Sequence, residues 1–142
     1  MFQFPHRCPS CGGLYSFQEG LAYAPPQPAS SAPGIWRYRE SLALPPQAPQ
    51  ITLGEGDTPL VWCDLKGRNI GLKMESLNPT GSFKDRGSAV LVSWLVAAGV
   101  KLAVEDSSGN AGASFAAYAS RAGIQARVFI PASASGPKRS QI

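Results

Sequence analysis

Charge is scarce in this 142-residue sequence, and so are histidine and cysteine. Charged residues make up 15% of the chain against 44% hydrophobic residues, with one histidine and three cysteines. The longest apolar stretch, residues 89–100, is broken by Ser93 and Gly99 and is shorter than the ~20 apolar residues that cross a bilayer. The first residues also lack the basic and apolar segments of a secretion signal. We therefore expect a globular cytoplasmic protein that does not bind membranes.

The excess of positive charge is small and dispersed. The net charge is +4, and only Lys138 and Arg139 are adjacent cations. Proteins that bind nucleic acid usually cluster lysine and arginine on one face or segment. We therefore expect no nucleic-acid partner.

The cysteines are too few for a disulfide framework, and their odd number fits a reducing compartment. His6, Cys8 and Cys11 have half the ligand spacing of a zinc ribbon. A structural zinc site needs four ligands, and the next cysteine, Cys63, lies in a predicted strand. We therefore interpret the three residues as an incomplete site and predict no bound metal.

The chain changes character near residue 50. Residues 1–50 contain most of the prolines and are predicted to be an irregular N-terminal arm, because dense proline excludes long helices and central strands. Residues 51–142 carry the periodic apolar patterns of a folded domain.

Five elements are predicted in this second part. Ser82 with Asp85 resembles a capping box at the start of the first helix, and Gly99 and Gly123 are typical of the residue that follows a helix. The predicted order is strand Ile70–Met74, helix Ser82–Ala98, strand Leu102–Glu105, helix Ala111–Ala122 and strand Ala126–Ile130. This β-α-β-α-β order predicts an α/β fold with part of a doubly wound parallel sheet. Loops 77–82 and 106–110 would then share the sheet edge at which ligands bind.

Lys84 lies in the first turn of the first predicted helix. The positive end of the helix dipole and the nearby Arg86 both favour the neutral amine, which is the form that attacks an aldehyde. The same helix end favours an anionic ligand. An isolated lysine here would be interpreted as a solvated surface residue, so its neighbours decide the interpretation.

The ten residues Asn78-Pro-Thr-Gly-Ser-Phe-Lys-Asp-Arg-Gly87 resemble the Schiff-base motif of fold type II pyridoxal-phosphate enzymes. The ending Asp85-Arg86-Gly87 is similar to that of the threonine synthase family, whereas serine/threonine dehydratases usually differ at the position of Asp85. The resemblance implies that Lys84 binds pyridoxal 5′-phosphate as a Schiff base and is the catalytic residue. Phe83 could pack near the cofactor ring or anchor the core.

The loop Asp106-Ser-Ser-Gly-Asn-Ala-Gly112 follows a predicted strand and opens a helix. Hydroxyls and backbone N–H groups at a helix start form an anion site, and Gly109 and Gly112 would allow a ligand close to the backbone. The loop also resembles the same family. That resemblance implies that Asn110 bonds the cofactor's 3′-oxygen. The residues implied to bind the substrate's α-carboxylate are Ser107, Ser108, Gly109 and Asn110.

Similarity to the family extends over residues 51–142. Residues 53–60 resemble the opening segment of threonine synthases, and Val128–Pro131 with Lys138 and Gln141 resemble the region after the second loop. The glycine-rich phosphate loop of the family and its pyridine-nitrogen residue are absent from this sequence. We therefore expect an incomplete catalytic domain that is inactive alone.

The resemblance implies a lyase that converts O-phospho-L-homoserine and water to L-threonine and phosphate. It also implies a small amino acid as substrate and allows a homodimer of the full-length protein. A threonine/serine dehydratase and a non-catalytic fragment or binding module without the phosphate-binding half remain as alternatives.

Overall fold

The computed structural model describes residues 7–16, 20–26, 32–107, 109–133 and 136–142. Within these ranges short helices and strands alternate, so the predicted α/β class is confirmed. In chain order the elements are a 3-10 helix Gly34–Ser41, strands β1 Leu60–Leu65 and β2 Arg68–Lys73, a 3-10 helix Glu75–Leu77, helix α1 Lys84–Ala97, strand β3 Leu102–Asp106, helix α2 Asn110–Arg121, strand β4 Gln125–Phe129 and helix α3 Gly136–Gln141. Across the described ranges, no helix combines the length and apolarity that a membrane crossing requires.

The strand predicted at residues 70–74 exists as β2, but it belongs to a hairpin. β2 pairs antiparallel with β1. Lys66 and Gly67 connect them, and both have positive φ, 54° and 75°, as a two-residue hairpin turn with the right twist requires. The Gly67 N–H also donates to the Asp64 carboxylate at 3.1 Å. A local turn therefore determines the partner of β2.

The predicted continuous β-α-β-α-β sheet is consequently wrong in its first strand. Among the described residues the parallel sheet has two strands, β3 and β4, paired from Leu102–Gln125 to Asp106–Phe129. A hairpin closed by two residues costs much less chain entropy than a crossover through a helix. The unit that does form is β3–α2–β4, and a doubly wound sheet is not formed by these residues.

The two faces of the parallel sheet differ in exposure. Ala103, Ala126 and Val128 point toward the core and are partly buried. Val104 and Phe129 lie on the opposite face and are 59% and 60% exposed. The alternation follows from the two-residue period of a strand, and it leaves one apolar face of the sheet open.

The core lies between α1, α2 and the first 3-10 helix. Its buried members are Ile35, Trp36, Ala89, Val92, Phe115, Tyr118, Ala119 and Ile124. Ile35 and Trp36 come from the segment that we predicted to be an irregular arm. At least this part of residues 1–50 therefore packs into the body of the molecule, while a domain boundary at residue 50 stays a prediction.

Both predicted helix ends are confirmed. Gly99 and Gly123 have φ of 72° and 68°. After α1, the N–H of Gly99 donates to Val96 and that of Val100 donates to Leu95, at 2.9 and 3.0 Å. After α2 the same pair of bonds recurs. These are the two bonds of the Schellman motif, which uses carbonyls that a helix end leaves free.

Candidate functional site

Lys84 is the first residue of α1, and its side chain is exposed. Its amine lies over the Phe83 ring, with Nζ 5.0 Å from the ring centroid. Phe83 is itself 56% exposed, so it is not a core anchor, and the ring-side alternative remains. Lys84 Nζ makes no ion pair with a described carboxylate. The start of α1 thus presents an amine without an ion-pair partner among the described residues, beside an exposed aromatic ring.

Arg86 does not act as a second free cation next to this amine. Its guanidinium donates twice to the Glu75 carboxylate, from Nε and Nη2, both at 2.8 Å. The bonds from Arg86 hold the pKa of Glu75 at about 2, against an ordinary value of 4.5. Arg86 Nη2 also donates to the Thr58 hydroxyl at 3.1 Å. The expected repulsion between Arg86 and Lys84 is therefore largely cancelled by Glu75.

Asp85 has a different role from the predicted cap. Its side chain is fully buried and accepts the Thr80 N–H at 2.7 Å and the Thr80 hydroxyl. Its other contact is the Ser114 hydroxyl of α2, which donates to it at 2.6 Å. The Ser82 hydroxyl accepts the Lys84 N–H at 3.3 Å, so Ser82 does support the helix start. The reciprocal bond of a capping box is absent because Asp85 is bound to Thr80 and Ser114.

This carboxylate joins the two helices that follow the sequence-predicted loops. Ser114 lies one helical turn after Asn110, and the bond from Ser114 to Asp85 joins the first turns of α1 and α2. Gln141 of α3 adds a third contact, since its side-chain amide donates to the Thr80 carbonyl at 3.2 Å. Proximity of the loops was predicted from a shared sheet edge. In the structure β2 is not part of the parallel sheet, so the shared edge does not form, and the two regions are connected by the packing of α1 against α2.

The second loop runs from the end of β3 into α2, and its Ser108 lies outside the described residues. The Ser107 hydroxyl oxygen accepts the N–H of Gly112 at 3.0 Å and of Gly109 at 3.4 Å. Asn110 is the exposed first residue of α2, and its side chain bonds to no other described residue. The backbone N–H groups of Asn110 and Ala111 have no acceptor within the helix. This end of α2 therefore still has donors to offer to an anion.

The two glycines of this loop differ. A Cβ added at Gly109 would meet no atom within 4 Å, so the space beside it is open. A Cβ added at Gly112 would lie 2.7 Å from the Ser107 carbonyl oxygen and 2.9 Å from Val128. The predicted ligand approach to Gly112 is therefore wrong, because α2 packs against its own loop and β4 there. The predicted role of Gly109 stays a prediction.

A polar cavity of about 470 Å³ lies beside this site rather than in it. Neither Lys84 nor a residue of the second loop lines it. Its charges include the Arg86–Glu75 pair and an ion pair of 2.7 Å between Arg37 and Asp57. Lys73 also lines the cavity and donates to the Thr58 carbonyl, so the lining carries one more cation than carboxylates.

A buried carboxylate connects α2 to the N-terminal segment, and sequence reasoning missed it. Glu55, 1% exposed, accepts the Tyr118 hydroxyl at 2.6 Å, the Trp36 indole N–H at 2.7 Å and the Thr52 hydroxyl at 3.1 Å. Burial, with the bond to Glu55, raises the pKa of Tyr118 and keeps its hydroxyl protonated. The only feature of the sequence that could have indicated this connection is the position of Glu55 between two glycines in residues 53–60.

The cysteines do not form a metal centre in the described part of the chain, which contains no group of three histidine, cysteine or acidic ligands. Cys8, Cys11 and Cys63 are free thiols. His6 lies outside the described residues, as does the side chain of Lys138. The absence of a bound metal stays a prediction.

Comparison with known proteins matches the region that contains both loops. Residues 51–142 match the family described as pyridoxal-phosphate dependent enzyme. A threonine synthase of Synechocystis sp. is 46% identical over 91 residues, which are 60% of this chain and 24% of that protein. A threonine synthase of Mycobacterium leprae is 49% identical over 85 residues, which are 57% of this chain and 24% of that protein. A threonine synthase of Methanosarcina acetivorans is 42% identical over 94 residues, which are 63% of this chain and 23% of that protein.

The chain thus spans about a quarter of the length of the curated relatives it matches. The family match nevertheless covers more than half of the chain and includes Lys84 and the loop before α2. The cofactor of this family is pyridoxal 5′-phosphate. This chain belongs to the pyridoxal-phosphate dependent enzyme family.

Proposed function

We propose that this chain forms the lysine-bearing part of a lyase of the threonine synthase type, with O-phospho-L-homoserine and water as substrates and L-threonine and phosphate as products. The observation that carries the proposal is the exposed Lys84 amine at the start of α1. The next residue, Asp85, accepts a 2.6 Å hydrogen bond from Ser114 of α2 and so connects the two helices. The names of the relatives favour this reaction over that of a threonine/serine dehydratase.

The residues present fit the cofactor. Lys84 is exposed and makes no ion pair with a described residue, so its amine is accessible to the cofactor's aldehyde. An added Cβ at Gly109 would meet no atom within 4 Å, so the backbone there is open to a ligand. Asn110 is the first residue of α2, and its exposed side-chain amide would donate to the ring's 3′-oxygen. Phe83, beside the lysine, would contact the ring edge.

Each residue then has a defined task. When bound, the cofactor supplies an electron sink for the substrate carbons, and the protein supplies orientation and proton transfer. Lys84 Nζ would hold the cofactor and later move a proton at the substrate's carbons, which requires a neutral amine. Ser107, Ser108, Gly109 and the backbone N–H groups at the start of α2 would bind the α-carboxylate.

Ser107 can serve both its structural and its proposed role. Its oxygen accepts two backbone N–H groups, but the hydroxyl proton remains available as a donor. It would therefore bind a carboxylate oxygen without giving up its contact with α2.

Covalent labelling tests the lysine assignment. The 142-residue protein is incubated with pyridoxal 5′-phosphate, reduced with borohydride and analysed by peptide mass spectrometry. We expect a pyridoxyl group on Lys84 at several-fold higher occupancy than on Lys101, which is also exposed. Lys84→Arg keeps the charge and should abolish the dominant label, whereas Lys101→Arg should leave it unchanged.

Asn110→Ala extends the test to the second loop. Its side chain is exposed and makes no contact that folding needs, so the variant should fold normally and be labelled less at Lys84. Equal labelling of all exposed lysines would contradict the proposal and favour a non-catalytic binding module. Phosphate release from O-phospho-L-homoserine should stay near background, because the family's phosphate loop is absent from this sequence. A cytoplasmic location and a homodimer of the full-length protein stay predictions.

A further inference from the structure

Cys8 and Cys11 lie in a tight turn that the proposed lyase chemistry does not use. The Gly12 N–H donates to the Cys8 carbonyl at 2.8 Å, and the Cys8 N–H donates to the Gly13 carbonyl at 2.9 Å. Arg7 donates to the Gly12 carbonyl at 3.1 Å and closes the same loop. Gly12 has φ of 69°, a conformation that glycine adopts at little cost. The turn is thus held by several bonds of its own.

This turn brings the two thiols within reach of each other. The bond from Gly12 to Cys8 encloses one helix-like turn, in which residues three apart have Cβ atoms roughly 5–6 Å apart. A disulfide needs Cβ atoms about 3.5–4.5 Å apart, so the two Cβ atoms must approach by about 1–2 Å for the pair to close. The Cys11 side chain already lies within hydrogen-bond distance of Cys8. Cys11 is exposed and Cys8 is partly exposed, so a reagent in solution can reach both.

The surroundings of Cys8 favour its thiolate. A hydrogen bond with the Ser10 hydroxyl, at 3.0 Å, and bonds from the backbone N–H groups of Cys11 and Ser10 hold the pKa of Cys8 at about 7, against an ordinary value of 9.0. The thiolate is the nucleophile in thiol–disulfide exchange. Cys63 differs, because it is partly buried on β1 and its thiol faces the Ile70 carbonyl at 3.7 Å.

We propose that Cys8 and Cys11 are a redox-active pair that exchanges with small disulfides such as oxidised glutathione. The Cys8 sulfur attacks one sulfur of the reagent, the reagent's S–S bond breaks, and one glutathione leaves as its thiolate. The Cys11 thiol then loses its proton to solvent and attacks the Cys8 sulfur, which releases the second glutathione. The protein gains one disulfide and loses two hydrogens, and the reagent is reduced to two thiols.

Mass spectrometry of the folded protein with oxidised glutathione tests the pair. The parent protein should lose two hydrogens in the peptide that contains residues 8–11 and accumulate little glutathione adduct. Cys11→Ser should stop at a stable adduct on Cys8, since no second thiol resolves it. Cys8→Ser should react more slowly, and Cys63→Ser should behave like the parent.

The rates of reaction with oxidised glutathione distinguish a structured redox pair from two ordinary surface thiols. With its thiolate favoured, Cys8 should react on the order of 5- to 10-fold faster than Cys63 at neutral pH. Ser10→Ala should slow Cys8 several-fold without changing Cys63, and unfolding in urea should remove the difference between the two. Adducts of similar amount on all three cysteines, with no internal disulfide, would overturn the proposal. The outcome is independent of Lys84, so it leaves the lyase proposal untouched.

Discussion

Asp85 illustrates how a single residue can be predicted to matter for the wrong reason. Three residues after Ser82, it has the spacing of a capping box, and local spacing alone favours that role. In the folded chain its carboxylate is bound by Thr80 and Ser114. Sequence spacing cannot reveal this, because Ser114 lies 29 residues away and competes only after α1 and α2 have packed.

The pair of Glu75 and Arg86 predicts a loss of stability in acid. The native pKa of Glu75 is about 2 and its ordinary value is 4.5, so the unfolded chain binds a proton that the native chain does not. This stabilisation is complete above about pH 4.5 and is lost as the pH falls toward 2. The two side chains are 27% and 33% exposed, so we expect ~1–2 kcal/mol after solvent screening.

A double-mutant cycle checks this value. Urea unfolding of the parent and of Glu75→Gln should differ by that amount at pH 7 and converge as the pH is lowered toward 2.5. In an Arg86→Gln background, Glu75→Gln should have a much smaller effect at pH 7, because the charged partner is gone. A difference between parent and Glu75→Gln that did not change with pH would contradict the assignment.

At the scale of elements, the sequence predicts what local chemistry determines. Gly99 and Gly123 correctly predicted the ends of α1 and α2, because a positive φ at C′ is a local requirement. The strand at β2 was also predicted, but its partner was not. The hairpin was overlooked because Lys66-Gly67, which forms its two-residue turn, is a weaker sequence signal for such a turn than the usual Asn-Gly. The candidate loops were located correctly, whereas the contact between the helices that follow them depends on distant residues.

Two glycines of one helix predict opposite effects of the same substitution. Gly99 ends α1 with φ of 72°, so Gly99→Ala forces a side chain into the left-handed region and should destabilise the fold by ~1–2 kcal/mol. Gly87 lies inside α1, where an added Cβ meets no atom within 4 Å. Gly87→Ala should therefore stabilise the fold by ~0.5–1 kcal/mol, through reduced backbone entropy in the unfolded chain.

Thermal or urea unfolding of both variants measures these signs side by side. Each variant adds one methyl group, Gly87→Ala inside α1 and Gly99→Ala directly after its C-cap, so the pair controls for a general effect of added apolar surface. Destabilisation of similar size in both variants would mean that α1 does not end in the motif described.

At the scale of the whole molecule, buried carboxylates connect segments that are distant in sequence. Asp85 joins the start of α1 to α2, and Glu55 joins the first 3-10 helix to the C-terminal half of α2 through Trp36 and Tyr118. A buried charge is tolerated only when its hydrogen bonds are satisfied. These contacts therefore tie the orientation of the two helix starts, and with it the candidate site, to the N-terminal segment.

Tyr118→Phe tests this connection with little change in volume. The ring keeps its apolar contacts. Glu55 loses the hydroxyl that donates to it at 2.6 Å, and its carboxylate stays buried with its other hydrogen-bond donors. Because the lost partner is bound to a charged group, we expect a destabilisation of ~1.5–3 kcal/mol in urea unfolding.

Tyr23→Phe provides the matched control, because Tyr23 is 72% exposed and removal of its hydroxyl should change stability by less than ~0.5 kcal/mol. In the Tyr118→Phe protein, we expect the N-terminal segment to separate from α2 by local unfolding more readily than the rest of the fold unfolds. Hydrogen exchange at Ile35 and Trp36 should then rise more than exchange in β3 and β4. A uniform rise over all these residues would instead mean that Glu55 stabilises the fold as a whole and does not specifically connect the N-terminal segment to α2.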